Sequence, residues 1–217
     1  HGHSASTILV DVGAARQGYG WIFPKRACLS VGVGEFRRKS KSLRATFDRF
    51  VTDEQHVIGG AVPRPAGHPI PVYTESEKRE QDEESRFVAG RAALVGDAAH
   101  LVDPLFGEGI YYAIRSGQLA AHAILAHRDD HRMAVSAYAA ALRWEILPDF
   151  RVTARMAQVI YAFPRLAFRL LGRYQDAVQD YFEVLQGRTT AQQFLPNAKK
   201  RLKASVNDLL LEALHLR

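Results

Sequence analysis

The feature that most restricts the fold of this chain is a strand-to-helix segment near its middle. The mostly apolar residues 87–95 predict a strand that ends at Gly96-Asp97, and apolar residues at helical spacing follow from Ile110 onward. The loop between the two elements is rich in small, turn-forming and acidic residues: Ala98, Pro104, Gly107, Glu108 and Gly109. Ligands of α/β proteins bind at the carboxyl ends of strands, so this segment predicts a binding site.

The residue types in this segment suit an anionic ligand that carries hydroxyl groups. Gly96 would let a ligand approach the backbone closely, and the Asp97 carboxylate can accept hydrogen bonds from sugar-like hydroxyls. The free N–H groups at the helix start near Ile110 favour negative charge. A plain connection with Asp97 as a helix cap would explain one acid and one glycine, but not the whole set. The segment therefore predicts a cofactor site.

A second pattern lies nearer the amino end, where aromatic residues alternate along a predicted strand. Residues 19–24 and 28–33 predict a hairpin joined by a turn at 25–27. The pattern consists of aromatic, proline and glycine residues: Tyr19, Trp21, Phe23, Pro24, Gly32 and Gly34. Alternation places the three aromatic side chains on one face of the strand. Such a face can line an apolar pocket for a long hydrocarbon, or it can pack in a protein core.

The order of the predicted elements indicates an α+β fold, or part of an α/β fold, with a helical carboxyl-terminal region. A first strand is predicted at 7–12, a helix at 41–56, and a proline-rich connection at 59–72 that cannot form a central strand. The helix from Ile110 is followed by four more predicted helices, at residues 131–147, 149–163, 164–186 and 197–216. Strands come first and helices later, which is typical of an antiparallel sheet with a separate helical region.

Both patterns resemble signatures of one protein family. Residues 96–100 (Gly-Asp-Ala-Ala-His), followed by proline and Gly-x-Gly, are similar to the second flavin fingerprint of the flavoprotein hydroxylase fold group. The longer run at 101–110 (Leu-Val-Asp-Pro-Leu-Phe-Gly-Glu-Gly-Ile) resembles the geranylgeranyl reductase branch of that group. Residues 19–24 and Gly32-x-Gly34 are similar to the substrate-domain signature of the same branch. That signature begins with a proline where this chain has Arg16, so the local loop shape is expected to differ.

The resemblance implies an FAD-dependent oxidoreductase that reduces carbon–carbon double bonds of a geranylgeranyl-type isoprenoid lipid, with NAD(P)H or another reductant as electron donor. Asp97 would bind the ribityl chain of FAD, and the helix start near Gly109 would face the flavin. The other cofactor contacts would come from Gly96, Ala98, Pro104, Gly107, Glu108 and Ile110, and the substrate contacts from Tyr19, Trp21, Phe23, Pro24, Gly32 and Gly34. No catalytic proton donor can be named from the sequence.

The resemblance also implies a division into a substrate-binding sheet region (7–85), the second half of an FAD-binding domain (86–130) and a helical carboxyl-terminal region (131–217). No Gly-x-Gly-x-x-Gly segment for the adenosine half is present in these 217 residues, since Arg37 and Tyr112 stand where the third glycine would be. We therefore interpret the chain as the carboxyl-terminal portion of such an enzyme, whose FAD site a missing amino-terminal segment or a second chain would complete.

Two other functions fit part of the pattern. A flavin monooxygenase or halogenase would share the Gly-Asp-Ala-Ala-His run, but would leave the aromatic signature unexplained. A non-catalytic lipid-binding module that has lost its nucleotide-binding half would bind prenyl lipid without flavin. The net charge of +6 is not accompanied by a nucleic-acid-binding motif, so no nucleic acid partner is expected.

The cysteine content and the hydropathy of the chain indicate where in the cell it is expected to occur. Cys28 is the only cysteine, so no internal disulfide can form and a reducing, cytoplasmic setting is expected. No metal site and no transmembrane stretch is predicted. Arg165, Arg169 and Arg173 recur every four residues beside apolar residues. This stripe predicts either contact with an anionic membrane surface or an amphipathic helix packed on the core.

Overall fold

The computed structural model describes residues 7–36, 43–74 and 85–165, with a few single positions between 167 and 196. The chain forms two compact units that divide between Pro69 and Ile70. Each unit has its own cluster of buried apolar side chains. Helices and antiparallel strands are both present, which confirms the predicted α+β class. The three-region division at residues 85 and 130 stays a prediction.

The first unit contains a three-stranded antiparallel sheet with the order β1 (Leu9–Asp11), β2 (Gly18–Pro24) and β3 (Leu29–Glu35). The predicted hairpin is confirmed, and the Lys25 N–H donates to the Cys28 carbonyl across its turn at 2.8 Å. Because β2 is the central strand, both of its edges are paired, and its register with both neighbours is defined.

The two faces of β2 have different environments. Gly20 and Ile22 are buried on one face, where a Cβ atom at Gly20 would lie only 2.7 Å from a ring carbon of Phe50. Phe50 belongs to α1 (Leu43–Asp53), which therefore packs on this face of the sheet. The odd-numbered aromatic residues of β2 project from the opposite face, as alternation requires.

The predicted helix at 41–56 is wrong in its extent. Residues 41 and 42 lie outside the described residues, and the remaining segment forms α1 and a short α2 (Gln55–Ile58). Glu54 separates them with φ −98° and ψ 13°, which is outside the helical region. Gly59 then ends α2 in the left-handed conformation, and its N–H donates to the carbonyl of Gln55.

The predicted strand at 87–95 is also wrong. The segment instead forms a small hairpin of β4 (Val88–Ala89) and β5 (Ala92–Ala93). Gly90 lies between the strands with φ +58°, a left-handed conformation that reverses the chain direction and that glycine adopts without strain. The apolar residues that follow the hairpin, Leu94 and Val95, are 43% and 38% exposed.

The rest of the second unit is mainly helical. After a 3₁₀ helix (Gly96–Ala99) come α3 (Ile110–Ala126), α4 (His131–Glu145) and α5 (Leu147–Ala162). These three helices confirm the predicted positions to within about two residues. Their inner faces bury aromatic and aliphatic side chains, among them Leu101, Leu119, Tyr138, Leu142 and Phe150.

The first residues of α4 and of α5 follow from local chemistry. Asp130 caps the start of α4, where its carboxylate accepts hydrogen bonds from the N–H groups of Arg132 and Met133. Pro148 lies in the first turn of α5, where a missing N–H costs nothing. None of the helices in the described ranges is long and apolar enough to cross a membrane. Three predictions fall on residues that the structure does not describe: the helix at 197–216, most of the helix at 164–186, and Arg173 of the basic stripe.

Candidate functional site

The Gly96-Asp97 turn projects the Asp97 side chain into solvent. Gly96 is buried and has φ +54°, and a Cβ atom there would lie 3.0 Å from the Cβ of Ala113 in α3. Both the backbone conformation and the close approach of α3 therefore require glycine. Asp97 and Ala98 are exposed in the 3₁₀ helix that follows. The sharp turn thus presents the carboxylate at the surface while the backbone beneath it stays packed.

Two buried polar side chains that the sequence analysis missed hold this turn in place. Ser116 of α3 is fully buried, and its Oγ accepts a hydrogen bond from the Gly96 N–H at 3.0 Å. The Tyr138 hydroxyl of α4 donates to the Leu94 carbonyl at 2.7 Å. Burial raises the pKa of Tyr138 to about 12, although a hydrogen bond with Ser116 opposes the shift, so the phenol stays protonated as a donor.

The start of α3 lies next to the Asp97 carboxylate. A Cβ atom at Gly109, the residue that precedes α3, would lie 3.2 Å from Asp97 Oδ1 and 3.2 Å from a methyl carbon of Val102. Gly109 offers no side-chain cap to the helix, and Ile110 and Tyr111 in its first turn are 82% and 62% exposed. The Asp97 carboxylate, a hydrogen-bond acceptor, and the positive end of the α3 dipole therefore lie side by side at the surface. This arrangement suits an anionic ligand with hydroxyl groups.

The loop between these elements, residues 103–109, is closed on itself by hydrogen bonds. The Asp103 side chain accepts from the N–H groups of Leu105 and Phe106, both at 2.9 Å to Oδ1. Its backbone N–H donates to the Glu108 carbonyl at 2.8 Å, and its carbonyl accepts from the Gly107 N–H at 2.9 Å. Asp103 is 4% exposed, so one buried residue anchors most of the loop.

The other predicted residues of the loop lie around this anchor. Pro104 is buried, Gly107 is half-buried with φ +73°, and Glu108 is exposed. Desolvation raises the pKa of Asp103, while hydrogen bonds from Phe106, Thr153 and Leu105 oppose the shift. Desolvation and then repulsion from the Asp103 carboxylate raise the pKa of Glu108. Two carboxyl groups that hold their protons more tightly than usual therefore lie in one short loop.

Asp103 should give the folded chain a characteristic pH dependence. Because its pKa in the folded chain is raised above the ordinary value of 3.8, the folded state binds the proton more tightly than the unfolded state. The group therefore contributes stability that is fully present below pH 3.8 and is lost as the pH rises through the folded-state pKa. We expect the free energy of unfolding of the parent, relative to Asp103→Asn, to fall as the pH is raised across this window.

Urea unfolding of both proteins at a series of pH values would measure this difference. The same pair in a Glu108→Gln background would separate the contribution of the second carboxyl group. A difference that stays constant, or that grows as the pH rises, would contradict the assigned pKa shift of Asp103.

The aromatic face of β2, formed by Tyr19, Trp21 and Phe23, is continuous and partly open. The ring centres of Tyr19 and Trp21 are 5.9 Å apart, and those of Trp21 and Phe23 are 6.2 Å apart. All three residues are half-buried, whereas the core of this unit lies on the other face of the strand. Within the described part of this unit, the face is therefore not the core-packed one.

The two predicted glycines lie under the Trp21 ring. Gly32 and Gly34 stand opposite Trp21 and Tyr19 in β3. A Cβ atom at Gly32 would lie 2.2 Å from an indole carbon of Trp21, so the ring rests directly on the backbone of β3. Pro24 ends β2 opposite Leu29 and is half-buried. The structure thus brings the aromatic and glycine residues of this signature together on one surface.

Metal-binding residues do not cluster in the described ranges, where no group of three or more His, Cys, Asp or Glu side chains could hold an ion. Cys28 is exposed in the β2–β3 turn.

Neither a protein-family model nor a solved structure matches the chain. The chain is, however, similar in sequence to segments of several longer proteins. The chloroplastic geranylgeranyl diphosphate reductase of Oryza sativa is 37% identical over 108 residues, which cover 50% of this chain and 21% of that protein. The digeranylgeranylglycerophospholipid reductase of Methanosphaerula palustris is 32% identical over 142 residues, which cover 62% of this chain and 33% of that protein.

A third relative is named as a hydroxylase of hydroxyphenyl compounds. The 3-(3-hydroxy-phenyl)propionate/3-hydroxycinnamic acid hydroxylase of Burkholderia cenocepacia is 37% identical over 111 residues, which cover 48% of this chain and 20% of that protein. The chain thus spans between a fifth and a third of the length of these three relatives. Prenyl reductases recur among these relatives, so the chain is similar to proteins of the geranylgeranyl reductase family.

Proposed function

We propose that this chain is the carboxyl-terminal portion of an FAD-dependent reductase that saturates carbon–carbon double bonds of an isoprenoid lipid. The observation that carries the proposal is the position of the Asp97 carboxylate beside the open first turn of α3, in a chain related to geranylgeranyl diphosphate reductases. The division into a substrate-binding sheet region, half of an FAD-binding domain and a helical region is part of the proposal.

The residues present fit a flavin cofactor. The Asp97 carboxylate would accept hydrogen bonds from the ribityl hydroxyls, and the exposed Ala98 and half-buried Gly107 would lie along the ligand. Gly96 is buried against α3 and would contribute by forming the turn that presents Asp97. The uncapped N–H groups at Gly109 and Ile110 stabilise negative charge, and Pro104 and Glu108 shape the loop between them. Reduced FAD would supply the hydride for the double bond, and NAD(P)H or another reductant would return the oxidised cofactor to its reduced form.

The aromatic face would hold the isoprenoid chain. Tyr19, Trp21 and Phe23 present a row of rings of the kind that buries a hydrocarbon, and Pro24, Gly32 and Gly34 set the floor and the end of that row. A hydrocarbon that lies on these rings would be shielded from water on that side. Protonation of the second carbon needs an acid, which this proposal leaves unassigned.

The rest of the FAD site is proposed to come from a segment outside these 217 residues or from a second chain. The relatives are several times longer than the matched segments. In α3, Ile110, Ile114 and Ile124 are each more than half exposed, which gives such a segment an apolar surface to cover. A cytoplasmic location and contact of the basic stripe with a membrane surface remain predictions.

A flavin hydroxylase is the second candidate, because one relative carries that name. It would use the same Asp97 turn but would react with oxygen and transfer an oxygen atom to an aromatic substrate. Consumption of oxygen coupled to product would favour this candidate, and anaerobic loss of a prenyl double bond would favour the reductase. A halogenase would require chloride or bromide for its product.

Flavin binding by the chain is the experiment that tests the proposal. FMN and FAD should each lose fluorescence saturably on titration with the protein, because the proposed contacts are to the flavin and ribityl parts that both share. ADP should not compete, because the adenosine contacts belong to the absent Gly-x-Gly-x-x-Gly unit.

The alternatives give different results in the same titration. Saturable binding of a prenyl alcohol with no binding of either flavin would contradict the reductase proposal and favour a non-catalytic lipid-binding module. Competition by ADP as strong as that by FMN would contradict the assignment of Asp97 to the ribityl chain.

A further inference from the structure

The proposed reaction does not use the buried carboxyl group of Asp103, the one charged side chain that is buried in the part of the chain that the structure describes. Its Oδ1 atom accepts hydrogen bonds from two successive loop N–H groups, those of Leu105 and Phe106. A carboxylate in a 4% exposed residue loses most of its hydration, which is unfavourable unless hydrogen bonds such as these compensate for it. The loop it holds is the one that leads into the first turn of α3.

Helix α5 contacts the same loop at two points. The Thr153 side chain, which is 3% exposed, forms a hydrogen bond with the Asp103 carboxyl group. Two turns further on, the Tyr161 hydroxyl donates to the Leu105 carbonyl. Thr153 Oγ1 also lies 3.3 Å from the Phe150 carbonyl, so its single proton serves one of the two acceptors at a time.

The backbone of Asp103 links this anchor to the cofactor-facing residues. Its N–H donates to the Glu108 carbonyl and its carbonyl accepts from the Gly107 N–H. Gly109, which follows, brings the helix start against the Asp97 carboxylate. A displacement of Asp103 therefore moves the first N–H groups of α3 relative to Asp97.

We infer that Asp103, held by Thr153 and assisted by Tyr161 of α5, is a positioning residue that sets the distance between the Asp97 carboxylate and the start of α3 for the flavin. This role rests on the proposed function, since the ligand that needs the spacing is the flavin. Asp103 lies under the loop and does not touch the ligand. Its charge is surrounded by Glu108 in the loop and Tyr112 in α3, both of which interact electrostatically with it.

Four variants of the full chain separate positioning from general stability. Asp103→Ala removes the acceptor, and Asp103→Asn keeps an oxygen that can accept from Leu105 and Phe106. Thr153→Val removes the hydroxyl on α5. Thr46→Val is the matched control, because Thr46 is also a buried threonine in a helix but belongs to the first unit.

Two readouts are needed, one of them without cofactor. Amide hydrogen exchange of Leu105 and Phe106 in the flavin-free chain reports whether the loop is held. Flavin fluorescence then gives the affinity for FMN. We expect Asp103→Ala to speed exchange at both amides by at least about tenfold and to weaken FMN binding by about 10- to 100-fold. Thr153→Val should have a smaller effect in the same direction, and Asp103→Asn and Thr46→Val should stay within about threefold of the parent.

The outcomes distinguish this inference from the proposed function. If Asp103→Ala speeds exchange but binds FMN as the parent does, the flavin site stands and the positioning role is wrong. Unchanged exchange in Asp103→Ala would overturn the role directly. If the parent itself does not bind FMN, the proposed function fails and the inference fails with it. Equal losses in Thr153→Val and Thr46→Val would show an effect of stability alone, which would also overturn it.

Discussion

Replacing Asp97 with alanine should weaken the binding of FMN and FAD by about 10- to 100-fold, because the exchange removes a charged acceptor of hydrogen bonds from the ribityl hydroxyls. Asp97 is exposed, so the folded chain should not depend on it. The expected result is therefore a large loss of affinity with little change in the free energy of unfolding. Flavin fluorescence titration and urea unfolding would measure the two quantities on the same samples.

Asp130→Ala is the matched control for this exchange. Asp130 is also an exposed aspartate of the second unit, but its carboxylate caps α4 through Arg132 and Met133. Its removal should reduce the free energy of unfolding by about 1 kcal/mol and leave flavin binding unchanged. The role of Asp97 would be wrong if the two variants bound flavin equally well, or if Asp97→Ala lost its affinity only in proportion to a loss of stability.

The parts of the site that the sequence could predict are those encoded by local periodicity. Tyr19, Trp21 and Phe23 occupy every second position, and a strand places every second side chain on the same face. The Gly96-Asp97 turn is local only in part. The strand predicted to lead into it ends at Ala93, and the left-handed Gly96 is the feature of the turn that its own residue type indicates.

What the sequence could not show depends on contacts between distant residues. Ser116 lies 20 residues from Gly96, Tyr138 lies 44 from Leu94, and Tyr161 lies 56 from Leu105. No spacing reveals such pairs. The best signal for Ser116 is a small polar residue on the apolar side of a helix, and for Asp103 an aspartate followed by proline at the start of a turn. Neither pattern distinguishes a residue that supports a binding site from one that only stabilises the fold.

The error at residues 87–95 has a different origin. Residues 87–95 are apolar except for Gly90 and Arg91, and such a run is compatible with one strand or with two, because it contains no alternation that would fix a direction. Gly90 is the deciding residue, since its left-handed conformation turns the chain back so that Val88 pairs with Ala93. A glycine inside a mostly apolar run is the sequence signal of such a turn.

Replacing Trp21 with alanine should weaken binding of a prenyl alcohol such as geranylgeraniol by about 10- to 100-fold, because an aromatic ring buried against a hydrocarbon contributes about 1.5–3 kcal/mol. Trp21 is the central ring of the aromatic face and contacts both Tyr19 and Phe23. Its loss also uncovers Gly32, over which the indole rests. Trp21→Phe keeps an aromatic ring at this place and should retain most of the affinity.

The chain contains its own control, because Trp144 is the only other tryptophan and is 82% exposed on α4. Trp144→Phe should bind the prenyl alcohol as the parent does, and it leaves Trp21 as the single indole. Titration of that variant should then change the tryptophan emission saturably, with the same midpoint as a direct binding assay. If the emission of Trp21 did not respond while the ligand still bound, the hydrocarbon would lie elsewhere. The aromatic face would then be a packing surface, and the resemblance at residues 19–24 would describe the fold of this unit without describing its ligand.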